Sequence, residues 1–225
     1  MQAGSKLRVI VTGVTGMVGE GVLHECLQNN DVEQLLIVGR KSCGIQHPKL
    51  KEIIHQNFFD LSLIETHLSD YNACFFCLGV SSVGMKEDAY YKFTYTLTMH
   101  FAQTVSKLSN DMTFCYISGS GTDSTENGKL MWARVKGKTE NDLMKLSFKK
   151  AFYFRPAIIT PTKGLKNTLS LYKYLGWLLP LIKLISPKYI CSLREIGQAM
   201  IAVSLNGYNK QVLEVEDIIL LGNNV

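Results

Sequence analysis

Residues 7–19, LRVIVTGVTGMVG, decide the fold of this 225-residue chain. The apolar run 7–12 predicts a buried strand, and residues 18–27 carry apolar side chains at helical spacing. Between them lie three glycines in the spacing GxxGxxG. A glycine-rich turn before a helix presents free backbone N–H groups and the positive end of the helix dipole, which suits a pyrophosphate. The pattern predicts a dinucleotide site on Gly13, Thr15, Gly16, Met17 and Val18, although a tight turn can need glycines without any ligand.

The end of the second predicted strand, 35–39, indicates which dinucleotide is bound. Arg40 and Lys41 follow it, 21 and 22 residues beyond Gly19. An acidic residue at this point would accept a hydrogen bond from the ribose 2′-hydroxyl of NAD. A guanidinium and an ammonium suit a 2′-phosphate instead, so NADP is predicted and NAD is less favoured. The alternative is two solvated charges at a loop edge.

The order of predicted elements indicates an α/β fold with a Rossmann-like, doubly wound parallel sheet. Strand-like runs at 7–12, 35–39, 53–59, 73–78, 113–118 and 151–159 alternate with helical patterns. We expect one domain, with an NADP-binding core over 1–160 and a smaller substrate or lid segment over 161–225 packed on it. Residues at two further strand ends are candidates for binding the cofactor. Asp60 and Leu61 would lie near the adenine, and Cys77, Leu78 and Gly79 form a turn at the end of the fourth predicted strand. Asp60 could equally cap a helix over 61–68.

The composition of the chain limits the classes of protein to which it can belong. With 46% hydrophobic and 19% charged residues the chain is globular, and residues 1–6 carry no basic-then-apolar leader, which predicts a cytoplasmic protein. The six cysteines and five histidines have neither disulfide-framework nor ligand spacing, so no metal site is predicted. The long helical pattern 87–108 carries an aromatic stripe that fits either the core or a homodimer face.

A second group of candidate site residues follows the fifth predicted strand. That strand opens into a serine turn with Ser118 and Ser120, and Trp132 and Lys136 lie four residues apart on the next helical pattern. Residues at i and i+4 share a helix face, so both can point toward the cleft beside the turn. These four residues are the candidate catalytic set.

Together these motifs resemble the short-chain dehydrogenase/reductase superfamily, in its atypical, epimerase-like branch. The resemblance covers about residues 7–160 and includes Val135-Lys136-Gly137 and Phe154-Arg155-Pro156-Ala157, which adds Pro156 to the cofactor candidates. It implies that Lys136 holds the nicotinamide ribose and that a serine and a tyrosine act on a substrate carbonyl. This chain has Trp132 at the tyrosine position, and an indole N–H cannot supply a proton near neutral pH.

The segment 143–194 differs in charge from the rest of the chain. It has ten basic residues and no acidic one, while the whole chain has a net charge of +5. This favours an anionic partner. The apolar run 172–185 is too short to cross a bilayer, so it predicts a helix buried on the core, a lid over an apolar substrate or, least favoured, a peripheral membrane contact. No nucleic-acid motif is present. After this segment, Ser192 and Glu195 form a capping-box pattern that predicts a helix to about residue 205, and the run 212–220 predicts a final strand.

Two functions remain open from the sequence. The first is an NADP(H)-dependent oxidoreductase that acts on a small carbonyl or hydroxyl compound. The second is a non-catalytic NADP(H) sensor or scaffold with a protein or membrane-surface partner. Lys136 and the serine turn favour the enzyme, whereas Trp132 favours the sensor.

Overall fold

The computed structural model describes residues 6–167 and 187–224, and its centre is a seven-stranded parallel sheet. The strands lie in the order β3-β2-β1-β4-β5-β6-β9. Their bounds are β1 Leu7–Thr12, β2 Val32–Gly39, β3 Leu50–Ile54, β4 Ala73–Phe76, β5 Thr113–Ile117, β6 Lys150–Phe154 and β9 Val212–Leu213. Two short strands, β7 Ile158–Thr160 and β8 Ile190–Ser192, form a separate parallel pair. The predicted Rossmann-like sheet is confirmed.

Helices cover both faces of this sheet. They are α1 Met17–Gln28, α2 Glu87–Tyr91, α3 Leu97–Leu108, α4 Met131–Leu143, α5 Leu193–Asn206 and α6 Val215–Asn223. Strand side chains alternate between the faces, so Val9 packs with α1, α5 and α6 while its neighbour Ile10 packs with α3. The sheet therefore has a hydrophobic core on each side.

The long helical pattern 87–108 forms one continuous helical stretch with an irregular middle. A π-helical turn, Lys92–Thr96, joins α2 to α3. Two of its five aromatic residues are buried, Tyr90 and Phe101, which are at most 1% exposed; Tyr91 and Tyr95 are half-buried, and Phe93 is 40% exposed. The core explanation of the aromatic stripe thus holds for Tyr90 and Phe101.

Three predicted strands have different bounds in the structure. The run predicted as one strand over 151–159 is divided into β6, which ends at Phe154, and β7, which begins at Ile158 and belongs to the separate pair. The run predicted as a strand over 53–59 contains only the end of β3, which stops at Ile54, and 55–60 is a loop. The predicted final strand, 212–220, is only two residues long before α6 begins. Glu214 and Asp217 form a reciprocal cap at the start of α6, and this cap turns an apolar run that suits either structure into a helix. The predicted capping box of Ser192 and Glu195 starts α5 as expected.

The apolar run 172–185 lies outside the described residues, so the three predictions for it stay open, as does the domain division at residue 160. Within the ranges that the structure describes, no helix is both long and apolar enough to cross a membrane. The same ranges contain no group of three His, Cys, Asp or Glu side chains that could hold a metal ion.

Candidate functional site

Two of the three glycines after β1 are required by packing. Gly13 has φ +73°, and a Cβ built on it would lie 2.5 Å from the carbonyl oxygen of Cys77, just beyond the end of β4. A Cβ on Gly19 would lie 2.2 Å from the Gly13 oxygen. Both contacts are with backbone, which cannot move aside cheaply, so these glycines let the turn pack against β4 and α1.

Gly16 has no such packing constraint. It is the N-cap of α1 with φ −103°, and a Cβ there would meet only the Gly13 oxygen, at 3.4 Å. No side chain caps this helix, and Met17 and Val18 form its half-buried first turn. The N-terminus of α1 therefore presents backbone N–H groups beside a glycine that the protein's own packing does not demand. This arrangement fits a phosphate group that approaches the backbone closely.

A cavity of about 680 Å³ lies beside this turn. Its walls come from the loops that follow β1, β2, β3 and β4, from the end of β2 and from Asn167. Its lining residues are Gly13, Val14, Thr15, Val38, Gly39, Arg40, Lys41, Ser42, Gln56, Phe58, Leu78 and Asn167. The structure thus brings Gly13, Thr15, Arg40, Lys41 and Leu78, five of the predicted cofactor residues, to one cavity.

Arg40 and Lys41 are the cations of this cavity, and they have no acidic partner. Both side chains are exposed, and neither forms an ion pair with any carboxylate in 6–167 or 187–224. The backbone at Arg40 is held by Gln56, whose Nε2 donates to the Arg40 oxygen at 2.7 Å. Two exposed cations on the wall of this cavity suit an anionic group.

A smaller apolar cavity of about 110 Å³ adjoins the first. It shares Arg40, Gln56, Phe58 and Leu78 with the larger cavity and adds Phe59, Gly79, Val80, Phe93 and Leu97. An apolar slot next to a cationic cavity is a suitable place for the flat base of a nucleotide.

Asp60 and Leu61, predicted for the adenine side, line neither cavity. Leu61 is 2% exposed in the core, and Asp60 accepts the Ser62 N–H at 3.1 Å through its side chain. The loop is fixed by His55, whose Nε2 contacts the carbonyl oxygens of Asn57 and Asp60 at 2.8 and 2.7 Å. Because β3 ends at Ile54, Gln56 and Phe58 reach the cavities instead. The apolar pair Phe58 and Phe59 extends the strand-like pattern in the sequence beyond this earlier strand end.

The two serines of the turn after β5 differ in availability. The Ser118 side chain is 5% exposed, and its hydroxyl donates to the Phe154 carbonyl at 3.1 Å. Ser120 is half-buried; its backbone N–H donates to the Pro156 carbonyl at 2.9 Å, and its hydroxyl has no partner among the described residues. Ser120 is thus the serine whose hydroxyl is free to contact a ligand.

Lys136 lies against the end of β5. Its ammonium donates to the Ser118 carbonyl, with a longer contact of 3.5 Å to the Ile117 carbonyl. Burial lowers the pKa of Lys136 to about 8, against the opposing influence of Glu140. The next residue, Gly137, allows the serine-turn loop to sit on α4, because a Cβ there would overlap the Asp123 oxygen at 1.8 Å.

Trp132 covers the serine turn. Its ring lies over Gly121, where a Cβ would be 3.5 Å from the indole. Four tyrosines could in principle replace the missing phenol. Tyr90 and Tyr116 are at most 2% exposed, and the Tyr95 hydroxyl donates to Asp142 at 2.7 Å. Tyr91 is half-buried, with its ring centroid 4.6 Å from that of Tyr95. Ser120, Trp132 and Lys136 stand at the same carboxyl edge of the sheet as the cavities but do not line them.

No family model matches the chain. Among curated proteins it is 26% identical over 177 residues to the mitochondrial protein FMP52-1 of Scheffersomyces stipitis, which covers 75% of this chain and 77% of that protein. It is 21% identical over 154 residues to HTATIP2 of Rattus norvegicus, covering 67% of this chain and 62% of that protein. The chain therefore spans less than two thirds of the rat protein's length.

Solved structures resemble the chain over nearly its whole length. UDP-glucose 4-epimerase of Thermotoga maritima, solved with UDP-glucose, has a TM-score of 0.65 at 15% identity and covers 97% of this chain and 82% of its own. The Bordetella bronchiseptica enzyme WbmG, solved with NAD, has a TM-score of 0.68 at 13% identity and covers 100% and 79%. At these identities the likeness shows the fold: the chain shares the Rossmann-like α/β fold of these two enzymes. This agrees with the fold that the predicted family resemblance implies.

The comparisons correct one prediction. The chain was expected to be cytoplasmic because residues 1–6 have no leader, but four of the curated relatives, all FMP52 proteins, are named mitochondrial. The cytoplasmic prediction is therefore wrong on this evidence. The absence of a secretory pattern at one end of a sequence says nothing of other targeting routes.

Proposed function

We propose that this chain binds NADP(H) and is an oxidoreductase that acts on a small carbonyl or hydroxyl compound. One observation carries the binding proposal: a single cavity of about 680 Å³ is lined by both the glycine turn and the cations Arg40 and Lys41. The N-terminus of α1 would hold the pyrophosphate, and the two cations would hold the 2′-phosphate.

The nicotinamide would supply or accept a hydride when it is bound. Reduction of a carbonyl also needs a proton on the oxygen, and Trp132 cannot give one. Lys136 is the available acid beside the serine turn, because burial lowers its pKa to about 8 and brings its acidity near the working range. We assign Lys136 the role of proton donor and Ser120 the role of hydrogen-bond donor to the substrate oxygen.

The cofactor preference is tested by calorimetry with NADP⁺ and NAD⁺ on the Arg40→Asp variant. Losing the guanidinium and adding a carboxylate should weaken NADP⁺ binding by tenfold or more, with a smaller effect on NAD⁺. Lys107→Asp is the matched control, because Lys107 is also exposed but lies at the far end of α3. Equal losses for the two dinucleotides in Arg40→Asp would refute the 2′-phosphate assignment.

Trp132 favours a second candidate, a non-catalytic NADP(H) sensor. An assay of NADPH oxidation against a panel of carbonyl compounds distinguishes the two functions. For an enzyme, Lys136→Met should abolish turnover while Lys138→Met, on the same helix, retains it. Trp132→Tyr restores a phenol and should raise turnover. Tight NADPH binding with no turnover in either the natural chain or Trp132→Tyr would establish the sensor instead.

A further inference from the structure

The stretch Thr162–Asn167, here named the strap, crosses the first turn of α1. It follows β7, turns at Gly164 with φ +90°, and packs Leu165 against the core that includes α1. Nothing in the sequence pattern of this stretch indicates that it returns to the glycine turn, more than 140 residues earlier in the chain.

Glu20 fixes the strap to α1. Its carboxylate is 8% exposed, and its two oxygens accept the backbone N–H groups of Lys166 at 2.8 Å and Asn167 at 2.7 Å. No lysine, arginine or histidine of the described ranges forms an ion pair with it. Hydrogen bonds from two N–H groups to a buried carboxylate are strong, so the backbone at Asn167 is held in one position.

This anchor places Asn167 on the cavity that the cofactor would fill. Asn167 is the only lining residue of that cavity, among those described, that comes from beyond residue 78. It also lines an adjoining cavity of about 160 Å³, together with Thr15, Glu20, Ser42 and Lys166. The strap thus forms the wall of the cleft next to the glycine turn, and its last described residue carries an amide that can donate hydrogen bonds.

We propose that Asn167 contacts the pyrophosphate of the bound dinucleotide and that Glu20 is the residue that positions it. The inference rests on the proposed cofactor binding and adds a residue to it from outside the nucleotide-binding motifs. A side-chain amide donates to a phosphate oxygen without adding charge, and the neighbouring cations supply the charge. Because NAD and NADP share the pyrophosphate, Asn167 serves both equally.

The test measures dissociation constants for NADP⁺ and NAD⁺ by calorimetry. Asn167→Ala should weaken both by about five- to tenfold, since one hydrogen bond to a charged group is lost. The melting temperature of the free protein should stay within about a degree, because the backbone anchor remains. Asn110→Ala is the matched control, an exposed asparagine at the opposite edge of the sheet. Its affinities should equal those of the natural chain.

Glu20→Gln tests the positioning role, because an amide cannot accept from both N–H groups. It should weaken binding of both dinucleotides several-fold, and this effect should disappear when Asn167 is already alanine. Additive losses in the double variant would show that Glu20 acts through something other than Asn167. If Glu20→Gln does not fold, the dinucleotide affinities of Asn167→Ala alone test the proposal.

The outcomes separate this inference from the proposed function. If the natural chain binds neither dinucleotide, the proposed function fails. If it binds them and Asn167→Ala binds them equally well, only the role of Asn167 is refuted.

Discussion

The glycines of the turn after β1 serve different purposes although they form one motif. Gly13 and Gly19 are confined by backbone oxygens at 2.5 and 2.2 Å from where a Cβ would lie. Gly16 has an extended conformation and only a 3.4 Å contact. We attribute the first two to packing and Gly16 to the ligand.

Gly16→Ala should therefore separate binding from stability. The free energy of unfolding in urea should change by less than about 0.5 kcal/mol, because the backbone conformation suits alanine and the nearest contact is ordinary. The added methyl group stands where the pyrophosphate approaches, so NADP⁺ affinity measured by calorimetry should fall at least about tenfold.

Gly19→Ala is the comparison variant at the same turn. Its Cβ overlaps the Gly13 oxygen, so the unfolding free energy should fall by about 1–3 kcal/mol. If Gly16→Ala lost as much stability as Gly19→Ala, the distinction between the two glycines would be wrong.

At the scale of elements, a buried ion pair ties β6 to α4. Arg155, just after β6, donates through Nε to Glu140 Oε1 at 3.1 Å and through Nη2 to Glu140 Oε2 at 2.5 Å. The Glu140 side chain is 0% exposed, and that of Arg155 is 12% exposed. Arg155 also donates to Ser124 at 2.7 Å, so it joins the serine-turn loop to the same pair.

Arg155→Ala should destabilise the protein by about 3–5 kcal/mol, because the Glu140 charge would remain buried without its partner. Chemical denaturation at pH 7 measures this loss. The matched control is Lys149→Ala, whose pair with Asp111 has side chains 57% and 66% exposed. Screening by water limits that pair to less than about 1 kcal/mol. Similar losses of unfolding free energy in both variants would show that burial does not increase the contribution of the Arg155–Glu140 pair.

At the scale of the whole molecule, Lys136 links stability to pH. Its pKa falls from 10.5 to about 8 on folding because its ammonium is desolvated. Between these values the unfolded chain holds a proton that the folded chain has lost. The contribution of this group to stability therefore rises with pH from about 8 to 10.5 and is unfavourable below pH 8.

The Lys136→Met variant removes this contribution. The difference in unfolding free energy, natural chain minus variant, should increase as the pH rises from 7 to 10. Tyrosines and cysteines of the unfolded chain also titrate in this range, but they are common to both proteins and their contribution cancels in the difference. Urea denaturation at several pH values provides the measurement, and a difference independent of pH would mean that the Lys136 pKa is not lowered.

Much of the sheet was predictable because its signals are local. The apolar runs of β1, β2, β4 and β5 lie where predicted, and the capping box at Ser192 starts α5. The end of β3 differs from the prediction because Phe58 and Phe59 in the following loop extend the apolar pattern. The run 151–159 is divided between β6 and β7, and the run 212–220 forms mostly the helix α6, because an apolar run suits both structures. At these places the end of a strand, or the choice between strand and helix, depends on capping residues and on packing against other elements. A single stretch of sequence does not contain that information.

The sequence by itself determined the strand, glycine turn and helix over 7–28 and the two cations that follow β2, since spacing along the chain is enough to place them. The tertiary structure was needed to show that the Ser118 hydroxyl donates to the Phe154 carbonyl, whereas the Ser120 hydroxyl has no partner in 6–167 or 187–224. It was also needed to show that Asn167 and Thr15 line the same cavity. The reason is physical: periodicity sets which face of an element is buried, whereas contacts between residues far apart in the chain depend on how the elements pack. Glu20 and Asn167, separated by 147 positions, illustrate the second kind.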